Sequence, residues 1–237
     1  MNRIYTEGLD VQFWLDPDDH RNIWHFYYFV AKNLHGFLCN FMAISDMPEH
    51  SKLSLRMQPP CMTLGRDTLA CILDSLESLI NVYEEGIDVD AIMQERPSLI
   101  SDFHQLMAWL PYMNERHYKL SRYEYENYEG EVWCSFEDMK HIDRTIARRI
   151  APVMRDFSNC SQFPPAYYER MYGFNNQAPL SFCEKWRKDL AVMSNAWDWL
   201  ASREVNSPAN GDWEDVPAEV CHGLHLFAEY LPEMQND

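Results

Sequence analysis

Between Asp74 and Glu95 the chain carries seven acids, Asp74, Glu77, Glu84, Glu85, Asp88, Asp90 and Glu95, and no Lys or Arg. Carboxylates in such a run make no bonds themselves; what they do is attract cations, including the basic surface of another protein. Asp74, Glu77, Glu84 and Asp88 recur at helical steps, opposite an apolar stripe of Leu69, Leu73, Leu76, Ile80 and Tyr83. A solvated helix face ordinarily mixes in lysines that pair with acids one turn away, so a face of one sign calls for an explanation. Asp74, Glu77, Glu84, Glu85 and Asp88 are the expected partner-binding residues. The plain alternative is that they only keep the protein in solution.

The reverse pattern lies further on. In SFEDMKHIDRTIARRIAPVMRDF, Lys140, Arg144 and Arg148 step at i, i+4 and i+8, with His141, Arg149 and Arg155 beside them. Guanidinium groups grip phosphate or carboxylate through two donors at once, so Lys140, Arg144, Arg148 and Arg149 form a possible site for an anion or an acidic partner. The competing reading is pairing with the chain's own carboxylates. Ile142, Ile146 and Ile150 step along the neighbouring side and should supply the core contact, which leaves the basic stripe exposed.

Compact catalytic and metal signatures are missing. No two of the eight glycines lie closer than Gly211 and Gly223, so neither a phosphate-cradling loop nor a nucleophile elbow can be built. There is no HExxH and no CxxC. Two weaker clusters read as ordinary chemistry rather than metal sites. Cys221, His222 and His225 share one helical turn, and Asp16, Asp18, Asp19, His20 and His25 stand at a helix start, where carboxylates cap. Helical nucleases that set an Arg and a His at fixed spacing on one helix are not matched, since Arg21/His25 and Arg96/His104 undershoot and overshoot it. No metal, no cofactor and no catalytic residue is assigned.

The elements that must position these residues are helices. The first runs from the Asp16–Asp19 region to Ile44, with Ile23, Phe26, Tyr27, Val30, Leu34, Phe37, Leu38 and Phe41 on one face. Arg66–Glu85 is the clearest helix, closed by Gly86 as its C′ residue. Asp88 and Ser98 are expected caps of short helices. Ser135-x-x-Asp138 and the capping box Ser181-x-x-Glu184 open two more, to about Phe157 and Arg203. A further short helix starts at Pro165. The last begins after Pro217, ends near Pro232, and turns Val220, Leu224, Phe227 and Leu231 inward. Alternating Tyr123, Glu124, Tyr125, Glu126, then turn residues Asn127 to Gly130, then Val132 and Trp133 predict a β-hairpin. The expected fold is mainly α: one globular helical domain spanning 1–237, about six or seven helices with one small β-hairpin, and a possible sub-boundary near 115–135.

Composition bounds the rest. The chain is 46% hydrophobic and 14% aromatic, which is ample core material for 237 residues. Twenty basic against 37 acidic residues leave a net charge of −17, which repels nucleic acid and anionic membranes. Seven scattered cysteines suit reduced thiols, and the N-terminal stretch lacks a signal-peptide core, so a cytoplasmic location is expected. Lys32, Asn33, His35 and Asn40 interrupt the most apolar window and deny it a membrane span. Together these point to an acidic protein-binding or inhibitory protein, of immunity or anti-defence type, that engages a basic, nucleic-acid-handling partner. No direct contact with nucleic acid and no membrane partner is expected. The alternatives are an enzyme with a dispersed active site and a structural or oligomeric subunit. A flat acidic surface, a deep polar pocket and a broad apolar patch would distinguish them.

Overall fold

The computed structural model describes residues 25–54, 61–161, 180–203 and 216–234. The fold is mainly α. The helices are α1 (Phe26–Ile44), α2 (Arg66–Glu85), α3 (Val89–Glu95), α4 (Leu99–Trp109), α5 (Arg122–Asn127), α6 (Phe136–Met139), α7 (Ile142–Cys160), α8 (Leu180–Ser202) and α9 (Ala218–Tyr230). Single 3₁₀ turns, Leu110–Tyr112 and Leu231–Glu233, extend α4 and α9. Two three-residue strands, β1 (Lys52–Ser54) and β2 (Cys61–Thr63), pair antiparallel with Lys52 opposite Thr63. The expected Asp16–Asp19 helix start, the short helix at Pro165 and the side chain of Ser181 lie outside the described residues.

The long helices form a closed ring of neighbours. α1 packs on α2, α2 on α4, α4 on α9, α9 on α8, α8 on α7, and α7 returns to α1. Each buries the stripe that its periodicity marks. Leu69, Ile72, Leu76 and Leu79 of α2, Ile142, Ile146 and Ile150 of α7, and Val220, Leu224 and Phe227 of α9 are all buried, with Leu231 beyond α9. Phe26 of α1 stacks on Phe157 of α7 at 4.8 Å and meets Phe227 of α9 edge-on at 6.0 Å. α1 is buried nearly all round, unlike a surface helix with a polar face. Among the described residues no helix is long and apolar enough to cross a membrane.

Of the polar residues that interrupt α1, Asn33 bonds within its own helix and Asn40 holds a neighbouring segment. Asn33 donates to the Phe29 carbonyl one turn back (2.9 Å). Asn40, also buried, donates to the Glu131 carbonyl (2.7 Å) and accepts from the Trp133 amide (2.8 Å). A side-chain amide that pairs in both directions with a passing backbone imitates a β-ladder rung. That clamp is one reason the expected hairpin does not form: the 131–133 strand partner is a helix side chain.

The other half of the expected hairpin is α5. Ser121-Arg122-Tyr123-Glu124 is itself an S-x-x-E start, and the Ser121 hydroxyl accepts from the Glu124 amide (3.2 Å). Within α5, Tyr125 turns inward and donates to the Cys134 carbonyl (2.9 Å), while Tyr123 stays 71% exposed. Trp133 then seats over Gly36 of α1. A Cβ at Gly36 would clash with the Trp133 indole, so only glycine admits the ring there.

Helix ends follow local chemistry with two exceptions. Gly86 adopts the left-handed conformation (φ 66°) that closes α2, and Asp88 caps α3 by accepting from the Asp90 amide (3.0 Å). Ser98 does not cap α4; its hydroxyl donates to buried Asp102 instead (3.1 Å). The helix expected from Ser135 to Phe157 is two helices. Ser135 caps α6 as expected (3.0 Å to the Asp138 amide), but the chain turns at Lys140 and His141 before α7 begins.

Candidate functional site

The acids of the expected partner surface are all exposed: Asp74, Glu77, Glu84 and Glu85 on α2, Asp88 at the start of α3, then Asp90 and Glu95. Asp88 is not on the α2 face, because Gly86 has already reversed the chain. Tyr83, placed by spacing with the buried stripe, sits instead at the rim of the acids, 37% exposed, its ring tilted against Tyr28 at 4.3 Å.

Three of the five have work inside the molecule. Glu84 ties α2 to α1: its Oε1 accepts from Lys32 Nζ (2.6 Å) and from the Tyr28 hydroxyl (2.8 Å). Those two bonds hold the Glu84 carboxyl below its ordinary value, and burial together with the Glu84 bond pushes the Tyr28 phenol well up. Asp74 lies 3.6 Å from the Arg96 guanidinium, which also reaches Ser75 and Ser78. Asp88 is a cap. Glu77, Glu85 and Glu95 are exposed and make no ion pair or hydrogen bond among the described residues.

The basic stripe is used differently from the sequence expectation. Arg148 is exposed, but Lys140, Arg144 and Arg149 are half-buried. Lys140 belongs to the turn after α6 and pairs with Glu137 (2.7 Å). Arg144 donates to the Arg203 carbonyl (3.3 Å) and Arg148 to the Ala201 carbonyl (3.4 Å), while Arg155 pairs with Asp198 (3.2 Å). The last carbonyls of a helix have no donor within the helix and carry its negative dipole end. Arg148 supplies such a donor to α8, and Arg144 reaches the carbonyl of Arg203 just past its end. The i, i+4 spacing therefore serves the contact between α7 and α8.

Behind the stripe lies a polar cluster that no sequence spacing marks. Asp143, 4% exposed, accepts from Asn114 Nδ2 (3.1 Å) and from the Arg144 amide (2.8 Å). Burial pushes its carboxyl up to about 6, against the pull of those bonds and of the Arg203 and Arg144 charges. Arg203 itself donates to the Pro111 carbonyl (3.1 Å). Nearby, burial and the charges of Arg203 and Arg116 push the His117 imidazole down to about 4. These groups fix the 110–118 segment against α7 and the end of α8.

No described thiol is set up as a nucleophile. Cys39 lies 3.8 Å from His35 one turn away on α1, but burial raises the thiol and lowers the imidazole, so both stay neutral. Burial pushes Cys134 up to about 12. Cys39, Cys71, Cys134, Cys160, Cys183 and Cys221 are all unpaired with one another.

The Cys221, His222 and His225 turn is exposed on α9 and the three do not converge. His225 instead stacks on His104 of α4, ring centroids 4.0 Å apart, with Glu229 beside them. Burial, then the neighbouring His225, lowers His104. Of the other expected cluster, only His25 is described; its ring packs on Tyr83 at 4.6 Å.

No family model, no characterised protein and no solved structure matches this chain.

Proposed function

We propose that this chain is a protein-binding or inhibitory protein, of the immunity or anti-defence type, whose acidic face engages a basic, nucleic-acid-handling partner. The observation that supports the reading is the exposure of Glu77, Glu85 and Glu95, without an ion pair among the described residues, on a net charge of −17. Such a face raises the encounter rate with a basic surface and competes with a phosphate backbone for it. Glu84 and Asp74 frame the surface by holding α1, α2 and Arg96 in place.

The structure of the face selects the test. Glu77→Lys, Glu85→Lys and Glu95→Lys reverse charge without breaking a bond among the described residues, whereas Glu84→Lys would also release Lys32 and Tyr28. The immobilised wild type should capture a basic protein from its host at low salt and release it as salt rises, since exposed pairs are screened within about 8–10 Å. DNA should compete for the captured protein, and the triple Lys variant should not retain it. Capture of the same protein at the same rate by a folded triple variant would refute the reading.

A further inference from the structure

His225 and Glu229 stand one helical turn apart on α9, on the side that packs against α4, and His104 on α4 faces them. One ligand atom from each of the three lies within 4.8 Å of the others. The two imidazoles stack face to face, planes 14° apart. His104 Nε2 is shut off from water with no hydrogen-bond partner among the described residues, although the ring also meets the His225 backbone.

We propose that His104, His225 and Glu229 bind one zinc-class divalent ion between α4 and α9. Two imidazole nitrogens and a carboxylate suit Zn²⁺ and its first-row neighbours, whereas Mg²⁺ and Ca²⁺ want oxygen alone. Zinc holds N and O donors at about 2.0–2.2 Å, which sets tetrahedral donors roughly 3.3–3.6 Å apart. In this structure the rings are stacked and the ligand atoms lie within 4.8 Å of one another, so binding requires side-chain rotation that tilts the rings out of their stack and brings the lone pairs together. Three protein ligands leave a fourth position, and exposed His225 opens it to solvent. The ion ties α9 to α4. The chain's negative charge draws cations toward it. The inference is independent of the acidic-face reading, since none of the three ligands belongs to that face.

Calorimetric titration of the metal-free full chain with Zn²⁺, Mg²⁺ and Co²⁺ tests it. The wild type is expected to bind one equivalent of Zn²⁺ at this site, to melt higher in its presence, and to ignore Mg²⁺ at the same concentration. Losing an outer-shell partner alone weakens a metal about 10–100-fold, so His225→Asn, Glu229→Gln and His104→Gln should each cost at least ~100-fold. Co²⁺ should give a nitrogen- and oxygen-ligand spectrum with no thiolate charge-transfer band, which separates this site from the seven cysteines. His225 is exposed, so His225→Asn keeps the fold and decides the matter even if His104→Gln does not fold. No zinc binding by the wild type, a thiolate band from the bound ion, or wild-type affinity in folded His225→Asn would overturn the proposal.

Discussion

Asp143→Asn removes an ionisation that burial has moved, and the consequence can be worked out. The Asp143 carboxyl sits at about 6 in the folded protein against 3.8 in an open chain. Between those values the folded protein holds a proton that the unfolded chain has released. The group's contribution to stability is therefore full below about pH 3.8 and is lost as pH rises through about 6. A gap of about two pH units, at ~1.36 kcal/mol each, makes roughly 3 kcal/mol. Asn keeps the volume and one acceptor for Asn114 or the Arg144 amide but cannot ionise. Urea unfolding of both proteins from about pH 3 to about pH 8 isolates that contribution. The wild type should lose roughly 3 kcal/mol relative to the variant across that range. Parallel curves, with a difference constant to within about 1 kcal/mol, would show that Asp143 titrates as it does in water and that the cluster around it is open to solvent.

Gly36→Ala should destabilise the protein by about 1–3 kcal/mol and shift Trp fluorescence, because Trp133 has to leave its seat on α1. Asn40→Ala should cost about 1–3 kcal/mol for each backbone group it strands and speed amide exchange at Trp133; unchanged exchange would mean the clamp is not what holds that segment. The Glu77, Glu85 and Glu95 to Lys changes should each move stability by less than about 0.5 kcal/mol, measured by urea unfolding, and a larger loss would show that these acids pair within the fold. Thiol titration of the denatured, unreduced chain should find all seven cysteines reactive, and a protected pair would contradict the open thiols of the described six.

The long helices and their inward faces follow from local pattern alone. Apolar residues at three- and four-residue steps leave a helix one way to bury them, so Arg66–Glu85, the α7 isoleucines and the α9 stripe were legible directly. So was Gly86, since only glycine enters the left-handed region freely. Alternation misled at Tyr123–Glu126. A period of two over four residues is weaker than a serine cap, and the cap at Ser121 follows the same rule used elsewhere in the chain.

What the charged residues do depends on the packing of distant helices. Spacing placed Arg144 and Arg148 on one side of a helix, but the α8 carbonyls that engage them come from more than 50 residues away. Spacing likewise grouped Glu84 with Glu77, yet Lys32 and Tyr28 of α1 make one a tie and leave the other to solvent. His225 and Glu229 carry a visible i, i+4 relation, but nothing local announces His104, which α4 brings to them. Burying apolar surface is a property each helix carries in its own pattern. The partner of a charge or a ligand is chosen by whichever helix packs alongside, and the packing of the ring makes that choice.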